Sequence, residues 1–224
     1  MDKDDGKDDT QEDFWMMVIG QRVGAIWQLC GFVETGKHKC AKYWTDGKRI
    51  GNYTIKIVEE YDLQWQWCNS KAVVRVSRIH IMRGTKLVHE VTHYYWIDWE
   101  DRGVPCPDLG IVELMEIILA ATKGPIVIHC SAGVGRTGVV VLVQYIIDAL
   151  KLGKWIDNVL ELVKELRRQR ARFVQTPEQY LFVHVVLLLL YRRMGLLDET
   201  FDDQIREFIA ACQLLPELKP VKKN

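Results

Sequence analysis

The stretch that decides the fold runs Ile128-His129-Cys130-Ser131-Ala132-Gly133-Val134-Gly135-Arg136-Thr137-Gly138. The short apolar run 126–128 leads into it, and the almost wholly apolar segment 138–150 follows it. The first is typical of a buried central strand and the second of a buried helix, so a tight turn is predicted between them. Glycines at 133 and 135 allow a loop whose backbone N–H groups point inward as an anion-binding nest.

The side chains of this turn point to phosphate chemistry. A helix starting near Arg136 directs its positive end at the loop, and the Arg136 guanidinium can clamp two phosphate oxygens. Cys130 lies beneath that cradle, where a thiolate is favoured and can act as a nucleophile. A lone buried cysteine is more often structural. The full Cys-x5-Arg-Thr spacing occurs by chance less often than a single buried cysteine does. The loop is not a Walker loop, because the Gly-Lys-Ser/Thr ending is absent.

Around this turn the chain divides into early strands and late helices. Alternating or apolar runs predict strands at 23–29, 53–58, 74–81, 86–95 and 126–128, with loop at 31–51. Helical spacing predicts helices at 13–18, 111–122, 138–150, 156–170 and 201–214, and Thr176-Pro177-Glu178-Gln179 predicts a capping box that opens another helix. We therefore expect an α/β (α+β) fold in which helices flank a twisted mixed β-sheet.

Composition sets the limits. Thirty basic side chains balance thirty acidic ones, which gives no electrostatic reason to expect nucleic acid or an anionic membrane as partner. Six cysteines without paired spacing favour reduced thiols in an intracellular protein and predict no metal site. The apolar run 181–191 is about half of the ~20 residues that a membrane span needs. A soluble, cytoplasmic protein without a cofactor is expected; its oligomeric state stays open.

Beyond the cysteine loop, the chain resembles the protein tyrosine phosphatase family, whose signature is His-Cys-x5-Arg-Ser/Thr-Gly. Further family-like blocks occur in family order, so the resemblance is to the tyrosine-specific branch and covers roughly 13–191. These blocks are Asp13-Phe14-Trp15, Lys39-Cys40-Ala41-Lys42-Tyr43-Trp44, Glu90-Val91-Thr92-His93, Trp99-Glu100-Asp101-Arg102-Gly103-Val104-Pro105 and Gln175-Thr176-Pro177-Glu178-Gln179-Tyr180. Three segments follow: an acidic disordered tail (1–12), a phosphatase-like domain (13–193), and a helical extension with a basic tail (194–224).

The resemblance implies a role for each matching position. Cys130 would attack phosphorus, Asp101 would be the general acid, and Gln175 would position water. Thr137 would bond the cysteine sulfur, Glu34 would orient the signature arginine, and His129 would support the loop. Phosphate would be bound by Ser131, Ala132, Gly133, Val134, Gly135 and Arg136, with Gln179 as companion of Gln175. The two-step cysteine mechanism needs no metal and no cofactor.

Several of these positions have a plainer interpretation. Asp101 could be a solvated loop residue, and two rival acids, Asp98 and Glu100, lie within three positions. Thr176 and Gln179 are explained equally well as a helix cap, and Glu34 as a surface charge in a lysine-rich loop.

Two departures from the family pattern bear on function. Glu100 stands where the family has proline, which frees φ in the acid loop; slower turnover is expected, and the new carboxylate could disfavour ionisation of Asp101. Compared with typical members of the family, the sequence begins later, and the resemblance therefore implies that the stretch whose aromatic residue walls the phosphotyrosine pocket is expected to be missing.

The resemblance thus implies a protein tyrosine phosphatase acting on phosphotyrosyl proteins through a cysteinyl-phosphate. The alternative is an inactive or weakly active module that binds and sequesters phosphoproteins. A shallower pocket could also admit phosphoserine, a phosphoinositide or an RNA 5′-phosphate. The Trp-Glu-Asp loop and the compact form suggest a viral (polydnavirus-type) member, which would work in the host-cell cytoplasm.

Overall fold

The computed structural model describes residues 10–214. The helices are α1 Gln11–Gly20, α2 Gly110–Ala121, α3 Arg136–Lys151, α4 Val159–Gln169, α5 Pro177–Arg193 and α6 Asp202–Leu214, with a 3-10 turn at Glu199–Phe201. The strands are β1 Ala25–Gln28, β2 Val33–Glu34, β3 Lys37–His38, β4 Arg49–Ile50, β5 Tyr53–Asp62, β6 Val74–Arg83, β7 Lys86–Trp96 and β8 Ile126–His129.

Six of these strands form one mixed sheet in the order β4-β5-β6-β7-β1-β8. The strands from β4 to β7 are antiparallel neighbours, whereas β1 runs parallel to both β7 and β8. Gln28 is paired with His129, so the carboxyl ends of β1 and β8 lie side by side. In open sheets with parallel strands, this edge is where ligands bind.

The two faces of the sheet bury separate apolar cores. Trp27 and Trp96 face helices α2 to α5, and their rings stack with centroids 6.2 Å apart. The preceding residue of β1, Ile26, points the other way and packs with Trp15 of α1 and with Trp44. This alternation follows from the period-2 geometry of a strand. The sheet is therefore covered by an apolar core on each of its two faces.

The predicted mixed sheet with flanking helices is confirmed, with differences in detail. Helix α4 begins at Val159 instead of residue 156 because the Asn158 side chain accepts hydrogen bonds from the backbone of Leu160 and Glu161. The segment 31–51, predicted as loop, contains the β2–β3 hairpin and β4. Strand β5 extends to Asp62, since its pairing with β6 continues past a bulge at Ile57 and Glu59.

The ends of the chain follow the expected pattern only in part. Residues 1–9 of the predicted acidic tail and the basic tail beyond 214 lie outside the described residues, whereas Gln11 and Glu12 already belong to α1. The predicted C-terminal helical segment is α6, joined to α5 by an ion pair of 2.6 Å between Arg192 Nε and Asp202 Oδ1. Within residues 10–214, none of the helices has the length and apolar character to cross a lipid bilayer.

Candidate active site

The cysteine loop joins β8 to the first turn of α3, as the sequence predicts. Gly133 has φ of +65°, a left-handed conformation that glycine adopts without strain. Cys130 is buried at the base of the loop, and α3 starts at Arg136 with its positive end toward the thiol. The backbone N–H groups of Gly133, Val134 and Thr137 point at the Cys130 sulfur. The loop is therefore built to hold negative charge.

The environment of Cys130 favours its thiolate. Burial alone would raise the pKa of Cys130, but the Thr137 hydroxyl and the three backbone N–H donors lower it overall. The buried Thr137 hydroxyl meets no other polar partner among residues 10–214, so it is free to bond the sulfur. A thiolate at this position is a competent nucleophile.

Arg136 is held by a carboxylate from the other half of the chain. Its Nη1 and Nη2 donate to Glu34 Oε1 and Oε2 at 2.6 and 2.9 Å, and Nη1 also donates to the Trp99 carbonyl at 2.7 Å. Burial would lower the pKa of Arg136, but the Glu34 bonds raise it, so the guanidinium stays charged. With only 2% of its side chain exposed, Arg136 is fixed in orientation before any ligand arrives.

Asp101 reaches the same site from the loop after β7. Its Oδ2 accepts from Lys39 Nζ at 2.6 Å, and its Oδ1 lies 3.5 Å from Arg136 Nη2. The two other acidic side chains of this loop are engaged elsewhere. Asp98 accepts a hydrogen bond from the Val73 backbone N–H, and the Glu100 side chain is exposed.

The expectation that Glu100 disfavours ionisation of Asp101 is wrong. Burial would raise the pKa of Asp101, but the hydrogen bond and charge of Lys39, together with the charges of Arg136 and Arg102, lower it overall. The nearby cations therefore determine the direction in which the pKa of Asp101 shifts.

Gln175 and Gln179 lie over the cysteine loop. An added Cβ at Gly135 would lie 3.1 Å from Gln175 Oε1 and from the Gln179 amide, which shows how close these groups are. Gln179 also completes the predicted capping box with Thr176, so its structural interpretation holds alongside any role at the site. The preceding Val174 has φ of +56°, unusual for a β-branched residue.

This strained segment is fastened from two directions. The Val174 N–H donates to the Val134 carbonyl at 2.9 Å, which ties it to the cysteine loop. Arg167 donates to the carbonyls of Phe173 and Val174 at 2.8 and 2.7 Å. The local sequence around Arg167 does not reveal these partners, because they depend on the return of the chain after α4.

Gly138→Ala is expected to destabilise the fold by about 1–3 kcal/mol, because the added Cβ would lie 2.5 Å from the Val174 backbone nitrogen. Backbone cannot yield as a flexible side chain can. Urea unfolding of both proteins measures the difference. Gly20→Ala is the matched control, since its Cβ meets nothing within 4 Å. Equal stability of the Gly138→Ala protein and the wild type would contradict the packing argument.

His129 supports the loop from behind, as part of a hydrogen-bonded chain. Tyr43 Oη lies 2.8 Å from Nε2 of both His93 and His129, and His129 Nδ1 lies 3.3 Å from the Cys130 carbonyl. Burial, with a smaller contribution from His129, holds the pKa of His93 well below its usual range, so His93 is neutral. These hydrogen bonds fix the orientation of the His129 ring.

The site opens as a cavity of about 160 Å³. It is lined by Lys39, Asp101, Arg102, Cys130, Ser131, Ala132, Gly135, Arg136, Gln175 and Gln179. Lys39, Arg102 and Arg170 were not singled out from the sequence as site residues. Lys39 holds the carboxylate of Asp101, and Arg170 Nη2 donates to the Ala132 carbonyl at 3.0 Å. Cations thus surround a small polar cavity that is lined by the Cys130 thiol.

This fold and site define a class of protein in which a buried, thiolate-favouring cysteine lies at the base of an anion-binding loop that ends at a fixed arginine. The family model for protein-tyrosine phosphatase matches residues 6–189. The chain belongs to the protein-tyrosine phosphatase family.

Individual relatives agree with that assignment. The chain is 33% identical over 186 residues to receptor-type tyrosine-protein phosphatase U of Gallus gallus and 34% identical over 187 residues to tyrosine-protein phosphatase 99A of Drosophila melanogaster. These matches cover 81% and 80% of this chain but only 12% and 14% of the relatives. The chain thus matches about one eighth of each relative's length.

Solved structures of the human phosphatase PTPN18 are similar as well. A structure of PTPN18 in complex with HER2-pY1248 phosphopeptides gives a TM-score of 0.69 at 28% identity, covering 81% of this chain and 68% of that one. The structure of the catalytic domain of human PTPN18 gives a TM-score of 0.65 at 26% sequence identity. That match covers 80% of this chain and 65% of the PTPN18 chain.

Proposed function

We propose that the protein hydrolyses phosphotyrosine in proteins through a cysteinyl-phosphate intermediate. The observation that carries this proposal is the fixed Arg136, held by Glu34 above a thiolate-favouring Cys130. Phosphoryl transfer depends mainly on positioning and on stabilising charge, and both are already arranged before substrate enters.

In the first step, the Cys130 thiolate attacks phosphorus and the tyrosyl oxygen leaves with a proton from Asp101. In the second step, water held by Gln175 attacks the phosphocysteine and gives a proton back to Asp101, which releases inorganic phosphate and the thiolate. Throughout, Arg136 and the backbone N–H groups of residues 131–136 bind the phosphoryl oxygens. Family membership and the placement of these side chains in one cavity support the assignment.

Asp101 must be protonated for the first step, although Lys39 and Arg136 favour its carboxylate in the ligand-free protein. A bound phosphate dianion brings two negative charges onto Arg136 and the loop. These charges offset the cations and raise the pKa of Asp101 in the complex. The substrate therefore helps to protonate the acid that acts on it.

The similarity to PTPN18, which forms a complex with HER2-pY1248 phosphopeptides, supports a phosphotyrosyl peptide as the substrate. The test compares initial rates on a phosphotyrosyl peptide, the matching phosphoseryl peptide and an RNA 5′-phosphate. Turnover of the phosphotyrosyl peptide alone is expected. Tight binding of that peptide without turnover by the wild type would instead identify a module that sequesters phosphoproteins. The free thiols of all described cysteines fit a reducing intracellular compartment, which we include in the proposal.

Lys39→Met is expected to move the basic limb of the pH profile of kcat/KM to higher pH. The limb follows loss of the Asp101 proton in the free enzyme, and removing the Lys39 charge raises the pKa of Asp101. The profile is measured with an aryl phosphate. The control is Lys37→Met, which removes an exposed lysine from the same hairpin and should leave the limb in place. In the described part of the chain, Lys37 forms no ion pair with Asp101. An unmoved limb in Lys39→Met would exclude Asp101 as the titrating acid.

Glu100→Pro is expected to raise kcat several-fold. Proline fixes φ at this position of the acid loop and so reduces the freedom that the loop loses on ordering. Single-turnover rates measure the effect on chemistry directly. Glu100→Ala is the control that removes the carboxylate without adding the ring. If the proline variant turns over no faster than wild type, the residue at 100 does not limit the rate.

A further inference from the structure

Three potential metal ligands meet behind the cysteine loop, outside the cavity that binds phosphate. Cys30 follows the end of β1, and His129 ends the adjacent strand β8, with the Leu29 N–H bonded to the His129 carbonyl at 2.8 Å. Cys40 is brought alongside by the β2–β3 hairpin, where its N–H approaches the Phe32 carbonyl at 3.4 Å. One ligand atom from each of the three residues lies within 4.8 Å of the other two.

We propose that Cys30, Cys40 and His129 form a Zn²⁺ site. Two sulfur ligands and one imidazole nitrogen suit a soft-to-borderline ion, and zinc is bound by such sets with tetrahedral geometry. With Zn–S bonds of about 2.3 Å, two tetrahedral sulfurs stand about 3.8 Å apart, so the cluster needs to contract by no more than about 1 Å. Two Zn–S bonds and one Zn–N bond form, the two thiol protons are released, and water keeps the fourth position.

The surroundings of the cluster fit a cation. The His129 ring is within hydrogen-bond reach of the Cys30 thiol, and its Nε2 lies 2.8 Å from Tyr43 Oη. The other nitrogen, Nδ1, faces the Cys130 carbonyl, and zinc-bound histidines commonly donate their free N–H to a carbonyl in this way. The carboxylate of Glu34 interacts with Cys40 and adds negative charge.

The cluster is partly exposed, so an ion can reach it from solvent, and partly buried, so an ion bound there would be enclosed by protein. Cys30 is fully buried, whereas Cys40 and His129 are partly exposed. Because His129 also contacts the backbone of Cys130, a bound ion would connect the hairpin, the strand ends and the cysteine loop through direct bonds. The sequence predicts no metal site because the three ligands lie far apart along the chain: Cys40 is ten positions after Cys30, and His129 is eighty-nine positions after Cys40. Only the fold brings them together.

The test uses Co²⁺ and Zn²⁺ with the full chain carrying Cys130→Ser, which removes the nucleophilic thiol as a competing ligand. One equivalent of Co²⁺ added to the reduced protein should give a thiolate charge-transfer band and tetrahedral ligand-field bands. A further Cys30→Ser or Cys40→Ser replacement should abolish the band and weaken Zn²⁺ binding, measured against a chromogenic chelator, at least about tenfold. Cys106→Ser, which changes an exposed cysteine outside the cluster, should leave both unchanged.

A second measurement does not depend on the folding of these variants. Zn²⁺ should raise the Tm of the Cys130→Ser protein in a concentration-dependent way, because it binds the folded state in preference. Absence of the charge-transfer band, an unmoved Tm, or a band that survives loss of both Cys30 and Cys40 would each overturn the site.

Discussion

Cys130→Ser is expected to lower kcat for an aryl phosphate by on the order of 10⁴-fold or more, while phosphotyrosyl peptide binding persists. A serine hydroxyl cannot be held as an anion by the donors that lower the pKa of the Cys130 thiol. The cradle itself consists of backbone N–H groups and Arg136, which the change leaves in place. Initial rates measure the loss, and fluorescence polarisation of a labelled peptide measures the binding.

The control for this change is Cys106→Ser, because Cys106 is an exposed cysteine that does not line the site cavity. It should keep the wild-type rate. A Cys130→Ser protein within tenfold of the wild-type rate would show that another group is the nucleophile. Loss of peptide binding together with activity would instead mean that the loop needs the sulfur to keep its shape.

Arg136→Lys is expected to lower kcat/KM by about 10³-fold, although it keeps the charge. The guanidinium uses both terminal nitrogens on Glu34 and still donates to the Trp99 carbonyl. A lysine ammonium can approach Glu34 as a point charge, but it cannot hold that carboxylate bidentately and also bind two phosphoryl oxygens. The ammonium therefore loses the orientation that matters most in the transition state.

Arg168→Lys is the matched control on the exposed side of α4 and should change kcat/KM by less than a factor of two or so, as surface substitutions usually do. Thermal unfolding of both variants separates a local loss from a general one. A rate for Arg136→Lys within tenfold of wild type would mean that charge alone, without the planar fork, stabilises the transition state.

The cysteine loop could be predicted from the sequence because its parts are contiguous. Cys130, Gly133 and Arg136 lie within seven residues, between a strand and a helix whose patterns are clear. The capping box at Thr176 could be predicted for the same reason, since capping is local chemistry.

Contacts between distant segments could not be derived in this way. The role of Glu34 in orienting Arg136 is implied by the family resemblance, and the sequence allows a surface charge equally well. The structure shows an ion pair between Glu34 and Arg136. Lys39 was quoted only as part of a family-like block, and its hold on Asp101 depends on how the hairpin and the acid loop meet. The cluster of Cys30, Cys40 and His129 likewise depends on the register of β1 against β8.

That register also governs how the chain can assemble during synthesis. All four residues of β1 are buried, yet its partners come much later: Ala25 pairs with Thr92 on one side and with Ile126 on the other. At 5–20 residues per second, the ribosome needs roughly 5–20 s after making β1 to deliver its second neighbour. Throughout that interval the apolar strand β1 has an edge with unpaired backbone N–H and C=O groups. Such an edge can bind chaperones or pair with other chains and aggregate. Cys130, the proposed nucleophile, comes directly after that last strand, so this residue and the partner that ends the vulnerable period are synthesised together.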